Sequence, residues 1–420
     1  MIRKIIVGIT LLLISNSYAQ NGSNSPYSFF GLGELRFRGT VENQSMGGIS
    51  VFADSIAFNF RNPAAFGNLR LTTYTVAASY TNLSLKNETT TESTGNGAFE
   101  YLALAFPLSP KLGIGFGVIP YSSVGYQLES LDETQDPNVL DRFSGDGGLN
   151  RAFLSVGYAI TKNFSIGATA NYDFGRIDND TRRIIEGVQL ATREVNESSL
   201  SGIDVNLALN YKGRLTKDLM LHSSVIYAPE ATITSENERR LETISTITGV
   251  DVVAQSINVD LDALNLRETD LIIPSTTTFG LGVGKLNKWF VGGEYEIKKI
   301  GNFENSFLSI SNLAYEDGSR FSLGGFYVPR YNSFSSYWSR VTYRLGLRYE
   351  ETGIRLNNTP VNDFGISFGL GLPVGGSKLN IGFEGGRRGT TTAGRVEETY
   401  FSVKVSLSLL GKWFRKVQYN

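Results

Sequence analysis

Ile203, Val205, Leu207, Leu209 and Tyr211 alternate along the chain with Asp204, Asn206, Ala208 and Asn210. A period of two sends the two sets to opposite faces of a strand, one apolar and the other carrying a charge and two amides. The pattern recurs from Phe164 to Phe174 and from Val341 to Tyr349. It recurs again where Trp289, Val291, Tyr295 and Ile297 oppose Glu294, Glu296 and Lys298. Such rows demand sheets with one greasy and one polar face. Alternation alone does not say whether the greasy face meets a protein core or lipid.

Three features choose lipid. The rows are long: soluble strands average about 5–6 residues, whereas a tilted membrane crossing takes about 9–11. Tyr211, Tyr349, Trp289 and Phe164 stand at row ends, where an interfacial girdle needs aromatic rings. Connections alternate between tight turns (at Ser109, Thr161, Arg214, Leu286 and Gly375) and long polar stretches (Glu129 to Gly147, Glu230 to Glu268, Gly301 to Arg320). Backbone groups in hydrocarbon must pair within a helix or a closed sheet, so the strands are expected to close. The predicted fold is all-β, a transmembrane antiparallel β-barrel of about fourteen strands. The first strand is placed near Arg70 and the last near Glu398, with both ends periplasmic. Within the long stretch at 231–266, a short helix or an extracellular hairpin is expected, as an elaborated surface loop.

The beginning of the chain predicts export. Arg3 and Lys4 precede an apolar run from Ile5 to Ile14, and Ser17-Tyr18-Ala19 is a small-x-small cleavage site before Gln20. Cysteine is absent and a single histidine, His222, is present, which excludes cysteine nucleophiles and histidine-based zinc sites. Net charge is -1, so nothing draws the protein to nucleic acid. "GLGVGK" (Gly280 to Lys285) and "GIGFGV" (Gly113 to Val118) lack phosphate-loop spacing and keep strand alternation, so they read as small residues on a curved wall. "DETQDPNVLD" (Asp132 to Asp141) lacks EF-hand spacing but keeps calcium open. No catalytic, cofactor or metal residues are assigned, and the protein is expected not to be an enzyme. The polar faces supply a lumen-facing set: Asp173, Asp204, Glu294, Glu296, Lys298, Arg344, Arg348 and Glu384, with Glu350, Arg388 and Lys404 beside them. This set reads as a salt-bridged, wet interior, with plug holding or headgroup orientation as the functional alternative.

The stretch "DSIAFNFRNPAAF" (Asp54 to Phe66) is too apolar for a linker, and Asn62 and Pro63 are placed to start a helical turn. Together with Gly47-Gly48, Ala53-Asp54-Ser55 and Ala57, the Asn62-Pro63-Ala64 turn resembles the amino-terminal region of the FadL-like long-chain fatty-acid transporters of Gram-negative outer membranes. The stretch from Tyr343 through Thr392, with "ETYFSVKVSLSLLGKWFRK" after it, resembles a branch of that family found in bacteria with type nine secretion. The chain departs from the transporters by ending in Gln418-Tyr419-Asn420 instead of a terminal Phe or Trp. The resemblance implies fourteen strands, a bacterial outer-membrane location, and a segment that fills the lumen ahead of the first strand. Three parts are therefore expected: a signal peptide at 1–19, a hatch at 20–69, and the barrel at 70–420. Gly47, Gly48, Asp54, Ser55, Phe60, Asn62, Pro63 and Ala64 are its candidate hatch residues, with Gly47-Gly48 and Pro63 as hinges. The implied partners are outer-membrane lipid and a hydrophobic, fatty-acid-like ligand. Alternatively, the barrel is an accessory or plug subunit of a type nine secretion translocon.

Overall fold

The computed structural model describes residues 22–245, 251–301, 303, 305–308, 313–392 and 395–411. The export signal expected at 1–19 and the C-terminal Gln418-Tyr419-Asn420 lie outside these residues. Fourteen antiparallel strands close into a ring: β1 (Thr72–Lys86), β2 (Thr91–Pro107), β3 (Leu112–Pro120 and Ser122–Asp132), β4 (Val139–Ala159), β5 (Phe164–Ile185), β6 (Leu190–Arg214) and β7 (Met220–Ala228 and Ala231–Ser245). The ring continues through β8 (Glu268–Ile273 and Ser275–Lys285), β9 (Trp289–Lys299), β10 (Gly318–Tyr327), β11 (Thr342–Leu356), β12 (Thr359–Val374), β13 (Ser377–Gly389) and β14 (Glu397–Gly411). β14 returns to β1, with Thr72 opposite Gly411 and Lys86 opposite Glu397.

Three strands are broken, and a proline stands in or beside each break: Pro120 before Tyr121, Pro229 and Pro274. Proline brings no N–H to the ladder, so it is tolerated where pairing lapses. The β3 break has a consequence for the wall. β2 pairs with β3 only from Leu102 to Pro107. Above that, the upper half of β3 pairs with β4 (Val124 opposite Gly147) but not with the Thr91–Tyr101 portion of β2. A slot therefore opens in the wall.

The outward rows carry the expected band. Phe164, Ile166, Tyr172 and Phe174 on β5 and Ile203, Val205, Leu207 and Leu209 on β6 are exposed, while Asp173, Asp204, Ala208 and Asn210 are buried inside. Beyond Phe174 the same outward row turns charged. Arg176 pairs with Asp178 at 2.7 Å and with Glu197 at 2.5 Å, and Arg182 with Asp180 at 2.9 Å. The sheet thus continues past its apolar band, held by cross-strand ion pairs. This corrects the expected long loop at Glu129 to Gly147, which is mostly strand. Within Glu230 to Glu268 the hairpin, one of the two expected alternatives, is present as Ala231–Ser245 with Val252–Asn258, its first strand being the upper part of β7 in the wall. Beyond the apolar band the outward row is charged while the inward row holds Tyr126, Ile177, Leu200 and Ile233, so the strands there do not repeat the greasy-outside, polar-inside pattern.

Residues 22–69 lie inside the ring. A short helix, Val41–Gln44, is capped by Thr40, whose Oγ1 accepts from the Asn43 N–H at 3.2 Å. The turn after Asn62 is a 3₁₀ helix, Pro63–Asn68, and Asn62 does not cap it. Instead its amide Nδ2 donates to Asn210 Oδ1 on β6 at 2.8 Å. Phe58, Phe60 and Phe66 pack with Tyr101, Ile119 and Phe153 of the wall. Burying such a ring is worth about 1.5–3 kcal/mol over leaving it in water. Wall glycines make the approach possible. A Cβ on Gly167 would stand 2.3 Å from the Pro63 carbonyl carbon, and one on Gly346 would stand 2.0 Å from the Gly47 nitrogen. The glycines of "GIGFGV" and "GLGVGK" owe less to curvature than expected: a Cβ on Gly115 would strike Phe66 and one on Gly280 would strike Val51.

Candidate functional site

The inward faces and the N-terminal segment meet through charges. Arg61 donates through Nη1 to Glu294 at 3.2 Å and to the Gly48 carbonyl at 2.6 Å, and through Nη2 to Glu296 at 2.5 Å. Glu294 also accepts from the Ser50 N–H and hydroxyl, at 2.6 and 2.9 Å. Glu296 takes a further bond from Arg320 at 3.0 Å. Lys298, two residues along the same face, pairs with Glu350. The two carboxylates on β9 are thus the anchor of an arginine from the N-terminal segment.

A second cluster lies on β11 to β14. Arg348 reaches Glu384 at 3.0 Å and Asp363 at 3.3 Å, and donates to the Tyr400 hydroxyl at 2.7 Å. Gln44 of the segment donates to the other oxygen of Glu384. Arg388 holds Asp363 at 3.1 Å and Glu34 of the segment at 2.9 Å. Burial pushes the Glu34 carboxyl up, but the Arg388 and Arg36 guanidiniums and the Ser23 hydroxyl outweigh it and hold it at about 2. Arg344 donates to Asn380 at 3.2 Å, and Asn380 passes a bond to Glu42 at 2.8 Å.

The third cluster contains no residue of the segment. Arg151 is fully buried and forks onto Asp173 with two bonds of 2.7 Å. It also pairs with Asp204 and lies 4.4 Å over the Tyr121 ring at the β3 break.

The candidate segment residues fall into place as contacts of different kinds. Gly47 and Gly48 have φ of 69° and 90°, the left-handed region that favours glycine, and the Gly47 N–H donates to Ser367 at 3.0 Å. Asp54 stands 3.7 Å from Lys378. The Ser55 carbonyl accepts from the Arg70 N–H at 2.8 Å, closing the exit into β1. Phe60, Asn62, Pro63 and Ala64 are buried. Sequence reasoning missed the segment's own cations, Arg36, Arg38 and Arg61, and missed Arg151. For Arg151 a signal existed: Leu154, Val156 and Tyr158 form the outward row of β4, so parity alone sends 151 inward. Asp132 and Asp141, the ends of the calcium candidate, are spent on the Thr134 N–H and on Arg183.

The segment also fills the wall slot. Asn24 donates to Thr94 Oγ1 of β2 at 2.8 Å. On the opposite side Glu34–Leu35 pairs as a two-residue strand with Ser123 and Ser122 of β3. The Gly125 N–H donates to the Ser28 hydroxyl at 3.1 Å. Behind this closure is a cavity of about 300 Å³. Leu83, Phe303, Tyr315 and Ile354 line its long-loop end, and the Glu296, Arg348 and Arg388 clusters line the rest. Arg38 lines it too, lies 5.8 Å over the Tyr121 ring, and makes no hydrogen bond among the described residues.

A closed ring of fourteen strands whose interior holds the preceding segment is the fold of the FadL-like outer-membrane channels. The toluene transporter TodX of Pseudomonas putida superposes with a TM-score of 0.57 at 16% identity, covering 91% of this chain and 100% of TodX. The monoaromatic hydrocarbon channel CymD gives 0.55 at 14%, covering 92% and 99%. A FadL homologue of Pseudomonas aeruginosa gives 0.55 at 13%, covering 91% and 100%. The family model of BamG matches residues 1–420, and the chain belongs to the BamG family. No curated protein matches it in sequence.

Proposed function

We propose that the protein is a channel of the bacterial outer membrane, its short-turn end and both chain ends in the periplasm, passing a small hydrophobic molecule with a polar head. Residues 20–69 act as its hatch. The observation that carries this reading is the slot between β2 and β3, closed among the described residues by those of the segment and backed by a cavity. A rigid structural barrel has no use for a wall left unpaired beneath a removable cover. The apolar long-loop end of the cavity suits a hydrocarbon body, and Arg38, which makes no hydrogen bond among the described residues, is a cation that can meet an acidic head. A fatty acid has both parts. Opening needs a ligand that binds the displaced hatch better than the seated one.

The chain has no cysteine, so Asn24→Cys with Thr94→Cys gives a clean lock. Cells carrying the oxidised pair are expected to lose uptake of radiolabelled oleate and to regain it on reduction. Uptake that is equal in the two states would overturn the slot as the route.

A second reading, an accessory or plug subunit of a secretion assembly such as the type nine translocon, is favoured by the charged wall above Phe174. Strand extension there serves no crossing of hydrocarbon. Stoichiometric co-purification of a large partner from native membranes, with uptake intact in the locked protein, would make it the better account.

A further inference from the structure

Every other connection at the short-turn end is tight, none longer than Leu215–Leu219, yet β10 and β11 are joined by a loop from Val328 to Val341. Its sequence, "VPRYNSFSSYWSRV", holds Arg330 and Arg340 and no acidic residue. Buried Val328 and Val341 root it, and between them four aromatic rings stand in the open. Phe334 is fully exposed, Trp338 is 63% exposed, Tyr331 60% and Tyr337 39%. Large apolar groups gathered on one loop mark a surface that is covered in use. The rings are also preorganised: Arg340 lies 5.6 Å over Tyr337, and the Tyr337 and Trp338 rings meet edge to face at 5.9 Å.

The direction of the loop decides its partner. The Tyr343 hydroxyl donates to the Trp338 carbonyl at 3.3 Å. Tyr343 begins the outward row of β11 that continues through Leu345, Leu347 and Tyr349, so the 3₁₀ turn Trp338–Arg340 adjoins the lipid-facing side of the wall. Exposed Leu286, in the neighbouring turn between β8 and β9, continues the apolar rim. Aromatic rings that have an apolar body and a polar edge settle at headgroup depth, and unpaired arginines there find phosphate.

We infer that the 328–341 loop is a membrane-interface anchor that lies on the periplasmic phospholipid leaflet, its rings at headgroup depth and Arg330 and Arg340 on lipid phosphates. The inference rests on the barrel lying in a bilayer and not on the passage of any ligand. It fixes the depth of one side of the barrel, on the strands whose Gly324 and Gly346 touch Met46 of the hatch.

The test places a spin label at Phe334→Cys in the full-length protein. The protein is reconstituted in phosphatidylethanolamine vesicles with and without phosphatidylglycerol, and collisions with oxygen are compared with collisions with a water-soluble nickel chelate. The expected result is oxygen-dominated contact, stronger with the anionic lipid and weakened when Arg330→Gln and Arg340→Gln are added. Nickel-dominated contact in both vesicles would overturn the anchor. So would a label shielded from both probes in native membranes yet aqueous in vesicles, which would assign the loop to a protein partner. A control label at Leu207→Cys separates the two readings. If it too is aqueous the barrel itself is misplaced, whereas an oxygen-exposed 207 with an aqueous 334 refutes the loop alone.

Discussion

Arg61 of the N-terminal segment and Glu294 of β9 form an ion pair in which both side chains are nearly dry, 9% and 2% exposed. Two carboxylates, Glu294 and Glu296, converge on that one guanidinium. Removing a partner from a buried pair strands a charge, at a cost of about 3–5 kcal/mol. Arg61→Met is expected to loosen the hatch, seen as faster proteolysis within 22–69 in the intact barrel. Adding Glu294→Gln and Glu296→Gln should restore much of the protection. Protection unchanged in the single variant would show that the pair does not hold the hatch.

The outward and inward rows of β6 predict unequal tolerance of charge. Arginine at Leu207, midway along the band between Ile203 and Tyr211, should cost about 2–4 kcal/mol, and at Asn206 much less. Reversible guanidine unfolding in lipid vesicles measures both. Equal costs would mean that the outward row does not face hydrocarbon.

Gly47 and Gly187 separate strain from collision. Both have positive φ, 69° and 77°, but a Cβ on Gly47 would lie 2.5 Å from the Leu347 carbonyl, while around Gly187 nothing lies within 4 Å. Alanine at 187 should cost only the left-handed backbone penalty, about 1–2 kcal/mol. Alanine at 47 should cost more and unseat the hatch as well, detectable as new single-channel current. A silent barrel with Ala at 47 would free that position from any hinge role.

Glu34 predicts an acid-sensitive hatch. Its seated carboxyl titrates at about 2, below the usual 4.5, so the stabilisation is complete above 4.5 and lost as pH falls through about 2. A spin label at Leu35 should gain a mobile fraction across that window. Glu34→Gln should show that fraction already at neutral pH. A wild-type signal that stays flat from 4.5 to 2 would assign Glu34 no part in docking.

Within the apolar band most of the barrel could be read. Phe164 to Phe174 and Ile203 to Tyr211 are strands with the expected faces, because hydrocarbon outside and polar groups inside enforce the period of two. Above Phe174 that contrast ends, and strands such as the first half of β4 look like loop. The break at Tyr121 carries only Pro120 as a local mark, and proline alone does not tell a strand end from a kink. The site was legible as a list of inward charges but not as pairs. Asp173 and Asp204 share Arg151 because three adjacent strands align them, and that register is set by turns remote from all three. Asn62 looked like a helix cap since capping is local, whereas its partner Asn210 lies far along the chain.

Residues 22–69 precede every strand of the ring in the chain, yet some of their contacts are among the last to exist. Ser25 waits for Glu398 and Glu34 for Arg388, both in the final two strands, and the wall has no complete interior until Thr72 meets Gly411. Loop closure over such separations is slow. Docking is therefore split in time: Phe58, Phe60 and Phe66 meet Tyr101, Ile119 and Phe153 of early strands, whereas Ser25 and Glu34 stay without Glu398 and Arg388 until the last two strands arrive. The apolar half of the segment can thus be hidden early, and it is the polar half, at Ser25 and Glu34, that only the finished barrel can hold.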